Sequence, residues 1–390
     1  MNKISNDIYY VGVNDHQIDL FESQYVVENG MSYNSYVIDD DSIAILDSVD
    51  TRFFDEWMNN ILTVLNGRKP TFFIIHHMEF DHAANIMRFL EVFSDTVLVG
   101  NAKTFKLFDQ FFRNSTYKKL VVTENDTLNL GHHNLSFIFA PMVHWIEVMF
   151  SYDELDKVLF SADAFGKFGA LDVNEDWACE ARRYYFNIVG KYGMQVQSVL
   201  KKALKKDVKT ICPLHGPILS KNIKYYIDLY NVWSSYRTET DGVAIFYTSV
   251  YGHTKQAALL LEEKLLELNV SKVVVTDLAR CDMSEAIEDA FRYNKIVLAT
   301  TTYNASIFPC MNEFITHLVE NNFQNKVVAF IENGSWALNA YKVMKDKLSG
   351  CKDMTYLDEV VHITSSLSNE NIKEVESLAN ELVKSTEKNK

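Results

Sequence analysis

The chain has 390 residues, of which 47% are hydrophobic and 23% are charged, values that are ordinary for a folded protein of about two domains. Its 52 acidic and 38 basic residues leave a net charge of −14, which argues against nonspecific binding to nucleic acid or to anionic membranes. No apolar run approaches the ~20 residues that span a bilayer. The five cysteines form no C-x-x-C pair, which excludes a disulfide framework. Because the first residues also lack the apolar stretch of a signal peptide, we expect a cytoplasmic protein.

The first part of the chain is typical of short β-strands separated by polar turns, with a helix after some of the strands. Predicted strands cover 35–38, 43–46, 71–75, 96–99, 135–139, 157–160 and 208–211. Predicted helices cover 83–93, 184–206 and 222–235. The first of these helices places Ile86, Phe89, Leu90 and Phe93 on one face, as expected for a helix that packs against a sheet.

Beyond residues 238–242 the pattern changes to a regular alternation of strands and amphipathic helices. Predicted strands cover 243–247, 272–276, 295–299 and 326–330, and predicted helices cover 255–268, 284–293, 311–321, 338–348 and 369–383. Buried β-branched strands that alternate with helices predict a doubly wound parallel sheet, so the fold class is α/β. The polar junction at 238–242 divides the chain into predicted domains at 1–240 and 241–390.

A dense group of potential metal ligands follows the predicted strand 71–75. The segment H-H-M-E-F-D-H begins at residue 76 and lies on one strand-to-helix loop. It contains four candidate ligands, which are His77, Glu79, Asp81 and His82. Taken alone, this segment leaves a polar surface loop as the less favoured alternative, because short motifs also arise by chance.

Three further candidate ligands stand just after other predicted strands, namely His144, Asp163 and His215. Loops at strand ends are where α/β scaffolds assemble a site from distant segments of the chain. A single metal ion rarely uses seven such side chains. Two metal ions ~3.5–4 Å apart, with one carboxylate bridging them, would use them all. The seven residues therefore predict a dinuclear metal site.

Three loops of the second part of the chain indicate a flavin site. The loop T-S-V-Y-G-H-T at 248–254 precedes a helix, where hydroxyl groups and backbone N–H groups bind anions. It has neither a lysine nor the G-x-x-x-x-G-K-[ST] pattern, which suits a phosphate that is not transferred, such as that of FMN. For this loop alone, an ordinary helix cap is the alternative. The loops at 300–305 and 332–336 also follow predicted strands, in the crevice where such sheets bind ligands.

The candidate FMN-binding residues are therefore distributed over three loops. They are Thr248, Ser249, Val250, Tyr251, Gly252, His253 and Thr254 in the first loop, Thr301, Thr302, Tyr303, Asn304 and Ala305 in the second, and Asn333, Gly334, Ser335 and Trp336 in the third. Within this set, Tyr303 and Trp336 are the candidates to contact the isoalloxazine ring, because aromatic side chains stack on flat ring systems.

With these motifs in place, the first half of the chain resembles the metallo-β-lactamase fold, and the whole chain is similar to the flavodiiron proteins. The family pattern is H-x-E-x-D-H, then a distant His, an Asp about nineteen residues later and a final His. Here the three intervals are 62, 19 and 52 residues, and the last is shorter than usual. The resemblance implies an N-terminal metallo-β-lactamase-like αββα sandwich followed by a flavodoxin-like doubly wound parallel sheet.

The resemblance also implies a role for each candidate ligand. One iron, nearer the flavin, would be held by His77, Glu79 and His144, and the other by Asp81, His82 and His215, with Asp163 as the bridge. The histidine at the position of His82 binds metal in only some members of the family. Glu79 stands where zinc hydrolases of this fold usually have a histidine, and a set richer in oxygen ligands favours iron.

The function implied by the resemblance is that of an oxidoreductase. FMN would pass electrons to a diiron site that reduces O2 to water, NO to N2O, or both. The implied electron donor is rubredoxin or a similar protein, or reduced coenzyme F420, and the implied assembly is a head-to-tail homodimer or a dimer of dimers. Two alternatives remain open: a zinc hydrolase with an appended flavodoxin domain, and a flavodoxin-type electron carrier.

Overall fold

The structure is a computed structural model that describes residues 2–385 and divides them into two compact units. The first unit contains residues 2–185 and 192–231, and the second contains residues 186–191 and 232–385. Met1 and residues 386–390 of the predicted domains lie outside the described part. None of the helices within residues 2–385 has both the length and the apolar character needed to cross a membrane. The domain boundary at residue 240 stays a prediction.

The first unit is built on many short strands. They are β1 (Asn2–Lys3), β2 (Ile8–Tyr10), β3 (Val13–Asp15), β4 (Leu20–Phe21), β5 (Tyr25–Val26), β6 (Met31–Tyr33), β7 (Tyr36–Ile38), β8 (Ala44–Leu46), β9 (Phe72–Ile74), β10 (Val97–Gly100), β11 (Lys118–Val121), β12 (Thr127–Asn129), β13 (Asn134–Phe139), β14 (Met149–Asp153), β15 (Val158–Phe160) and β16 (Thr210–Cys212). The helices of this part of the chain are α1 (Phe54–Leu65), α2 (Phe80–Ala83), α3 (Ile86–Val92), α4 (Ala102–Phe111), α5 (Trp177–Tyr184), α6 (Gly193–Ala203) and α7 (Ile223–Ser234).

Two sheets form the frame of this unit. One has the strand order β1-β2-β7-β8-β9-β10-β11 and the other has the order β12-β13-β14-β15-β16. The rings of Tyr36 on β7 and Phe160 on β15 lie 5.3 Å apart between their centroids, and both side chains are buried. Aromatic contacts of this kind between strands of different sheets are typical of the core of a sandwich.

Two of the predicted helices are interrupted in the structure. The segment 83–93 is divided between α2 and α3, and at the break the amide of Asn85 donates hydrogen bonds to the carbonyl oxygens of Val49 and Asp50. The segment 184–206 is not one helix either. Helix α5 ends at Tyr184, and a π-helical turn and a 3-10 turn precede α6. Helical periodicity does not report such interruptions, because neighbouring turns can keep the same apolar face.

The second unit has the predicted parallel sheet. Its strands are β17 (Thr240–Tyr247), β18 (Val273–Asp277), β19 (Tyr293–Tyr303), β20 (Ser306–Ile307), β21 (Val327–Asn333) and β22 (Thr355–Ile363). Its helices are α8 (His253–Glu267), α9 (Met283–Arg292), α10 (Pro309–Glu320), α11 (Ala340–Lys347) and α12 (Asn369–Lys384). The strand order is β18-β17-β19-β21-β22, with all of these pairs parallel, and β20 pairs with β19 in the antiparallel sense.

Strand β22 was absent from the sequence prediction, because two acidic residues, Asp358 and Glu359, interrupt its apolar pattern. It is an edge strand with an irregular register, and the carboxylate of Glu381 on α12 accepts the backbone N–H groups of both acidic residues at 3.1 and 3.0 Å. An edge strand tolerates charge because one of its sides is not paired with another strand. Strands β19 and β21 are also longer than predicted, so Thr300–Tyr303 and Glu332–Asn333 lie in strands rather than in loops.

Candidate metal centre and flavin site

The candidate metal ligands lie just beyond the carboxyl ends of four strands of the first unit. Strand β9 is followed by the segment 76–82, β13 by His144, β15 by Asp163 and β16 by His215. Strands β15 and β16 pair in parallel, with Phe160 opposite Cys212, so the loops that carry Asp163 and His215 leave the sheet at the same end. The fold thus brings distant parts of the chain to one place.

One group of ligand atoms contains His77, Glu79, His144 and Asp163. Nε2 of His144 lies 2.8 Å from Oε2 of Glu79 and 3.0 Å from Oδ2 of Asp163. Nε2 of His77 lies 3.5 Å from the same Glu79 oxygen and 3.4 Å from Oδ1 of Asp163. One atom of each residue lies within 4.8 Å of all the others, so a single metal ion could contact all four side chains.

A second group contains Asp81, His82 and His215. Oδ2 of Asp81 lies 3.5 Å from Nε2 of His82 and 3.3 Å from Nε2 of His215, and the two Nε2 atoms are 3.2 Å apart. The opposite ring nitrogen of each histidine faces a backbone carbonyl oxygen, that of Ser48 at 3.1 Å and that of Ser32 at 2.7 Å. A hydrogen bond donated by Nδ1 fixes the tautomer in which Nε2 is free to bind a metal.

Electrostatics keep the carboxylates of the first group ionised. Burial opposes protonation of His144, but the carboxylates of Glu79 and Asp163 outweigh it and raise the pKa of the imidazole to about 10. Burial also disfavours charge on the two acids, yet the facing histidines, His144 and His77, hold the pKa of Glu79 and of Asp163 below the usual range. Burial lowers the pKa of His82. The site therefore concentrates negative charge that protons or bound cations must balance.

Several polar atoms in these groups have no hydrogen-bond partner within the described part of the chain, although they are buried. They include both ring nitrogens of His77, both carboxylate oxygens of Asp81 and Oδ1 of Asp163. Leaving such atoms unpaired costs about 1–3 kcal/mol each, more for charged groups, so proteins rarely do so without a purpose. Two metal cations would satisfy them, and four imidazoles with three carboxylates are suitable ligands for iron.

Two residues that the sequence analysis missed lie beside these groups. The hydroxyl of Tyr184, the last residue of α5, donates a hydrogen bond to Oδ2 of Asp163 at 2.8 Å. Glu22 keeps contact with solvent, and partial burial together with the nearby carboxylate of Glu79 raises its pKa to about 7. Neither residue belongs to a motif, and no spacing in the sequence connects them to the metal ligands.

His76, the first residue of the motif, has a separate role. Its backbone N–H donates to Oδ1 of Asp47 at 2.8 Å, its Nδ1 contacts the other oxygen of the same carboxylate, and its Nε2 lies 2.8 Å from the hydroxyl of Ser151. All three side chains are buried. This network ties the start of the ligand-bearing segment to β14 and to the residue that follows β8.

The candidate flavin residues lie at the carboxyl ends of β17, β19 and β21 in the second unit. Asn333 donates to Oγ1 of Thr254 at 3.4 Å, and the hydroxyl of Thr301 donates to the Asn333 carbonyl at 3.2 Å, so the three segments meet. The hydroxyl of Thr302 accepts the backbone N–H groups of Asn339 and Ala340, which lie at the start of α11.

The first flavin loop has the properties of an anion site. Gly252 precedes α8 with φ of +95°, a conformation that favours glycine, and its N–H donates to the hydroxyl of Ser249 at 3.0 Å. No side chain of the described chain caps the first turn of α8, so its N–H groups are available to a ligand. Tyr251 and Trp336 are 90% and 94% exposed, which leaves two large aromatic surfaces free at the same end of the sheet. These features fit a flavin phosphate and ring.

Comparisons with known families agree with this two-part structure. Residues 31–216 match the family described as ODP family beta lactamase, and residues 244–355 match the family described as flavodoxin domain. An uncharacterised protein of Methanocaldococcus jannaschii is 28% identical over 322 residues, which is 81% of each chain. The anaerobic nitric oxide reductase flavorubredoxin of Salmonella paratyphi B is 26% identical over 358 residues, covering 88% of this chain and 74% of the relative.

Two solved structures share the fold over almost the whole chain. The rubredoxin oxygen:oxidoreductase of Desulfovibrio gigas superposes with a TM-score of 0.92 at 22% identity and covers 98% of both chains. The flavodiiron protein of Giardia intestinalis superposes with a TM-score of 0.91 at 23% identity, covering 98% of this chain and 96% of the other. The chain therefore contains one region that matches the ODP family beta lactamase model and one that matches the flavodoxin domain model, and it shares the fold of the solved flavodiiron structure, which confirms the resemblance and the fold class predicted from the sequence.

Proposed function

We propose that the chain is an oxidoreductase that binds FMN and two iron ions and reduces O2 to water, NO to N2O, or both. The observation that carries this proposal is the pair of adjacent ligand groups, with their unpaired buried atoms, in a chain that also contains a flavodoxin domain. The names of the similar proteins, an anaerobic nitric oxide reductase and a rubredoxin oxygen:oxidoreductase, support the same class of reaction.

The two ligand groups suggest how the irons would be held. One iron would bind His77, Glu79 and His144, and the other would bind Asp81, His82 and His215, with Asp163 between them. His82 is included because its Nδ1 faces the Ser48 carbonyl, which leaves Nε2 for the metal. Tyr184 would orient the bridging carboxylate through its hydrogen bond to Oδ2.

The three flavin loops would hold FMN at the carboxyl end of the second sheet. The N–H groups at the start of α8 and the hydroxyl of Thr254 would bind the phosphate, and Tyr303 and Trp336 would contact the ring. Bound FMN supplies electrons singly or in pairs, and two irons supply a place where O2 or NO binds and is reduced. The domain assignment that follows is a diiron domain at 1–240 and an FMN domain at 241–390.

The proposal includes the partners of the enzyme. The electron donor would be rubredoxin or a similar protein, or reduced F420, and the location would be the cytoplasm. We also propose a head-to-tail homodimer, alone or within a dimer of dimers, in which the FMN of one chain faces the irons of the other. Exposed aromatic side chains support this arrangement: Tyr251 and Trp336 belong to the flavin loops, and Phe80, which is 47% exposed, adjoins the metal ligands Glu79 and Asp81.

One set of measurements tests this function against the two alternatives. The purified protein should contain about two irons per chain and show the absorbance bands of a flavin. After photoreduction, rapid mixing with O2 or NO should reoxidise the flavin. Stoichiometric zinc without iron, from cells grown with sufficient iron, would indicate the hydrolase. Flavin without any metal would indicate the electron carrier.

A further inference from the structure

A pocket in the first unit lies apart from the metal ligands and is unused by the proposed function. It has a volume of about 460 Å³ and opens between α6 and α7 over strands β15 and β16. Leu159 and Ile211 are register partners on these strands, so their side chains point to the same face of the sheet and form part of the pocket floor. The volume is within the ~300–1,000 Å³ typical of pockets for small molecules.

The inner wall of the pocket is apolar. It is lined by Leu159, Phe165, Leu200, Ile211, Ile223 and Ile227, and the first four of these side chains are buried. Such a wall offers no hydrogen bonds, so it favours a ligand with an apolar body. At one side, Gln197 donates to Oδ1 of Asn231 at 2.8 Å, which links α6 to α7 across the pocket.

The charges at the rim leave one cation available. Lys206 pairs with Glu154, Lys224 pairs with Asp228, and the rim residue Asp207 pairs with Lys209. In contrast, Lys201 on α6 is exposed and forms no ion pair with any carboxylate of residues 2–385. A single unpaired ammonium at the mouth of an apolar pocket is complementary to a ligand with one negative charge and an apolar tail.

We propose that this pocket binds a free carboxylic acid with a medium-length alkyl chain. The chain would lie against Leu159, Ile211 and Phe165, and the carboxylate would pair with the ammonium of Lys201. A phosphate group is disfavoured because protein phosphate sites usually combine several donors, whereas this rim offers one free cation. The proposal does not depend on the oxidoreductase function, because none of the metal or flavin residues lines the pocket.

Titration calorimetry of the full chain with decanoate tests the proposal. We expect one saturable site per chain, and we expect Lys201→Gln to weaken decanoate binding about tenfold, the usual scale of one charge-assisted hydrogen bond. Lys205→Gln is the matched control, because Lys205 is an exposed lysine near the same helix end that does not line the pocket. Neutral 1-decanol should bind the wild-type chain and the Lys201→Gln variant equally.

Filling the pocket provides an independent test. Two substitutions, Ala203→Trp on α6 and Ile227→Trp on α7, each place an indole into the pocket from a different helix. The circular dichroism spectrum shows which of these variants keeps the wild-type fold. A variant that keeps it should lose decanoate binding. The proposal is overturned if decanoate shows no saturable binding up to about 1 mM, or if neither the Lys201 nor the filling variants change it. Co-sedimentation with phosphatidylglycerol vesicles that a filling variant abolishes would also overturn it, in favour of a membrane lipid.

Discussion

The hydroxyl of Tyr184 donates a hydrogen bond to Oδ2 of Asp163, with 2.8 Å between the oxygen atoms, deep in the first unit. Both side chains are buried, so the bond is shielded from water and the carboxylate has little freedom to turn. If Asp163 binds both irons, then Tyr184 determines how its oxygens are presented to them. Hydrogen bonds to metal ligands commonly affect metal affinity by 10–100-fold.

We therefore expect Tyr184→Phe to lower the affinity for iron by about tenfold, as measured by competition with a chelator. Tyr117→Phe is a matched control, because the Tyr117 hydroxyl also donates to a carboxylate, that of Asp109, but at an exposed position away from the metal ligands. An iron affinity equal to that of the control would show that Tyr184 does not orient a metal ligand.

The bridging role proposed for Asp163 leads us to expect unequal losses of metal from two variants. Asp163→Ala should lose most of both irons, because a bridge binds both ions and its removal leaves their mutual repulsion uncompensated. His82→Ala should retain more metal, because His82 would bind one ion only. Elemental analysis of variants purified in parallel measures the iron content per chain and so tests whether Asp163 bridges the two ions. Equal losses, or a larger loss in His82→Ala, would contradict the bridge.

A substitution of Thr254 tests whether the first flavin loop binds FMN, independently of the metal site. Thr254→Ala should weaken FMN binding by about 10- to 150-fold, since a charge-assisted hydrogen bond contributes about 1.5–3 kcal/mol, and should leave the iron content unchanged. Fluorescence titration of the flavin-free protein with FMN measures the effect. Thr316→Ala, a change at an exposed helix position whose hydroxyl donates to the Asn312 carbonyl, serves as the control. Unchanged affinity would mean that the Thr254 hydroxyl contacts only Asn333 and does not bind the phosphate.

The carboxylate of Asp40 should contribute to the free energy of unfolding in a way that depends on pH. Burial disfavours its charge, but the backbone N–H of His133 and the side chain of His132 outweigh this effect and lower its pKa to about 2. An unfolded aspartate has a pKa of about 3.9, so the ionised group stabilises the fold fully above pH ~4. That contribution is lost as the pH falls from about 4 through 2.

We accordingly expect Asp40→Asn to lower the free energy of unfolding by about 1–3 kcal/mol at pH 6. The difference in free energy of unfolding between the variant and the wild type should shrink as the pH falls below about 4. Urea unfolding of the metal-free and flavin-free chains at several pH values would measure it without interference from cofactor release. A difference that stays constant over this range would show that the charge of Asp40 is not responsible.

Mixed dimers test whether electrons pass between chains. One partner is wild type and the other carries both Asp163→Ala and Gly252→Asp, which disable its iron site and its flavin loop. If electrons cross between chains, every flavin–diiron pair contains one disabled member and activity nearly vanishes. If they stay within a chain, about half of the activity remains, because one of two equivalent sites is intact. If the mixed dimer keeps about half of the wild-type activity, electron transfer between the two chains is excluded.

The sequence by itself determined the elements whose signal is local. The alternation of β-branched strands with amphipathic helices after residue 242 predicts a parallel sheet, because strands covered by helices on both faces must be apolar throughout. Potential ligands that follow strands, such as His144 and His215, indicate a site, because the carboxyl ends of neighbouring strands converge. The sequence pattern does not predict strand β22, because the charged residues Asp358 and Glu359 interrupt its apolar residues. The strand forms nevertheless, because it pairs with β21.

Only the tertiary structure decided which atoms meet. His82 and His215 are 133 positions apart in the chain, yet their Nε2 atoms lie 3.2 Å from each other. No sequence motif predicts three of the features described above. They are the contact of Tyr184 with Asp163, the position of Glu22 beside Glu79, and the ammonium of Lys201, which forms no ion pair with the carboxylates of residues 2–385. Each depends on distances between side chains from separate elements, and those distances are set by packing over the whole domain rather than by any local stretch of sequence.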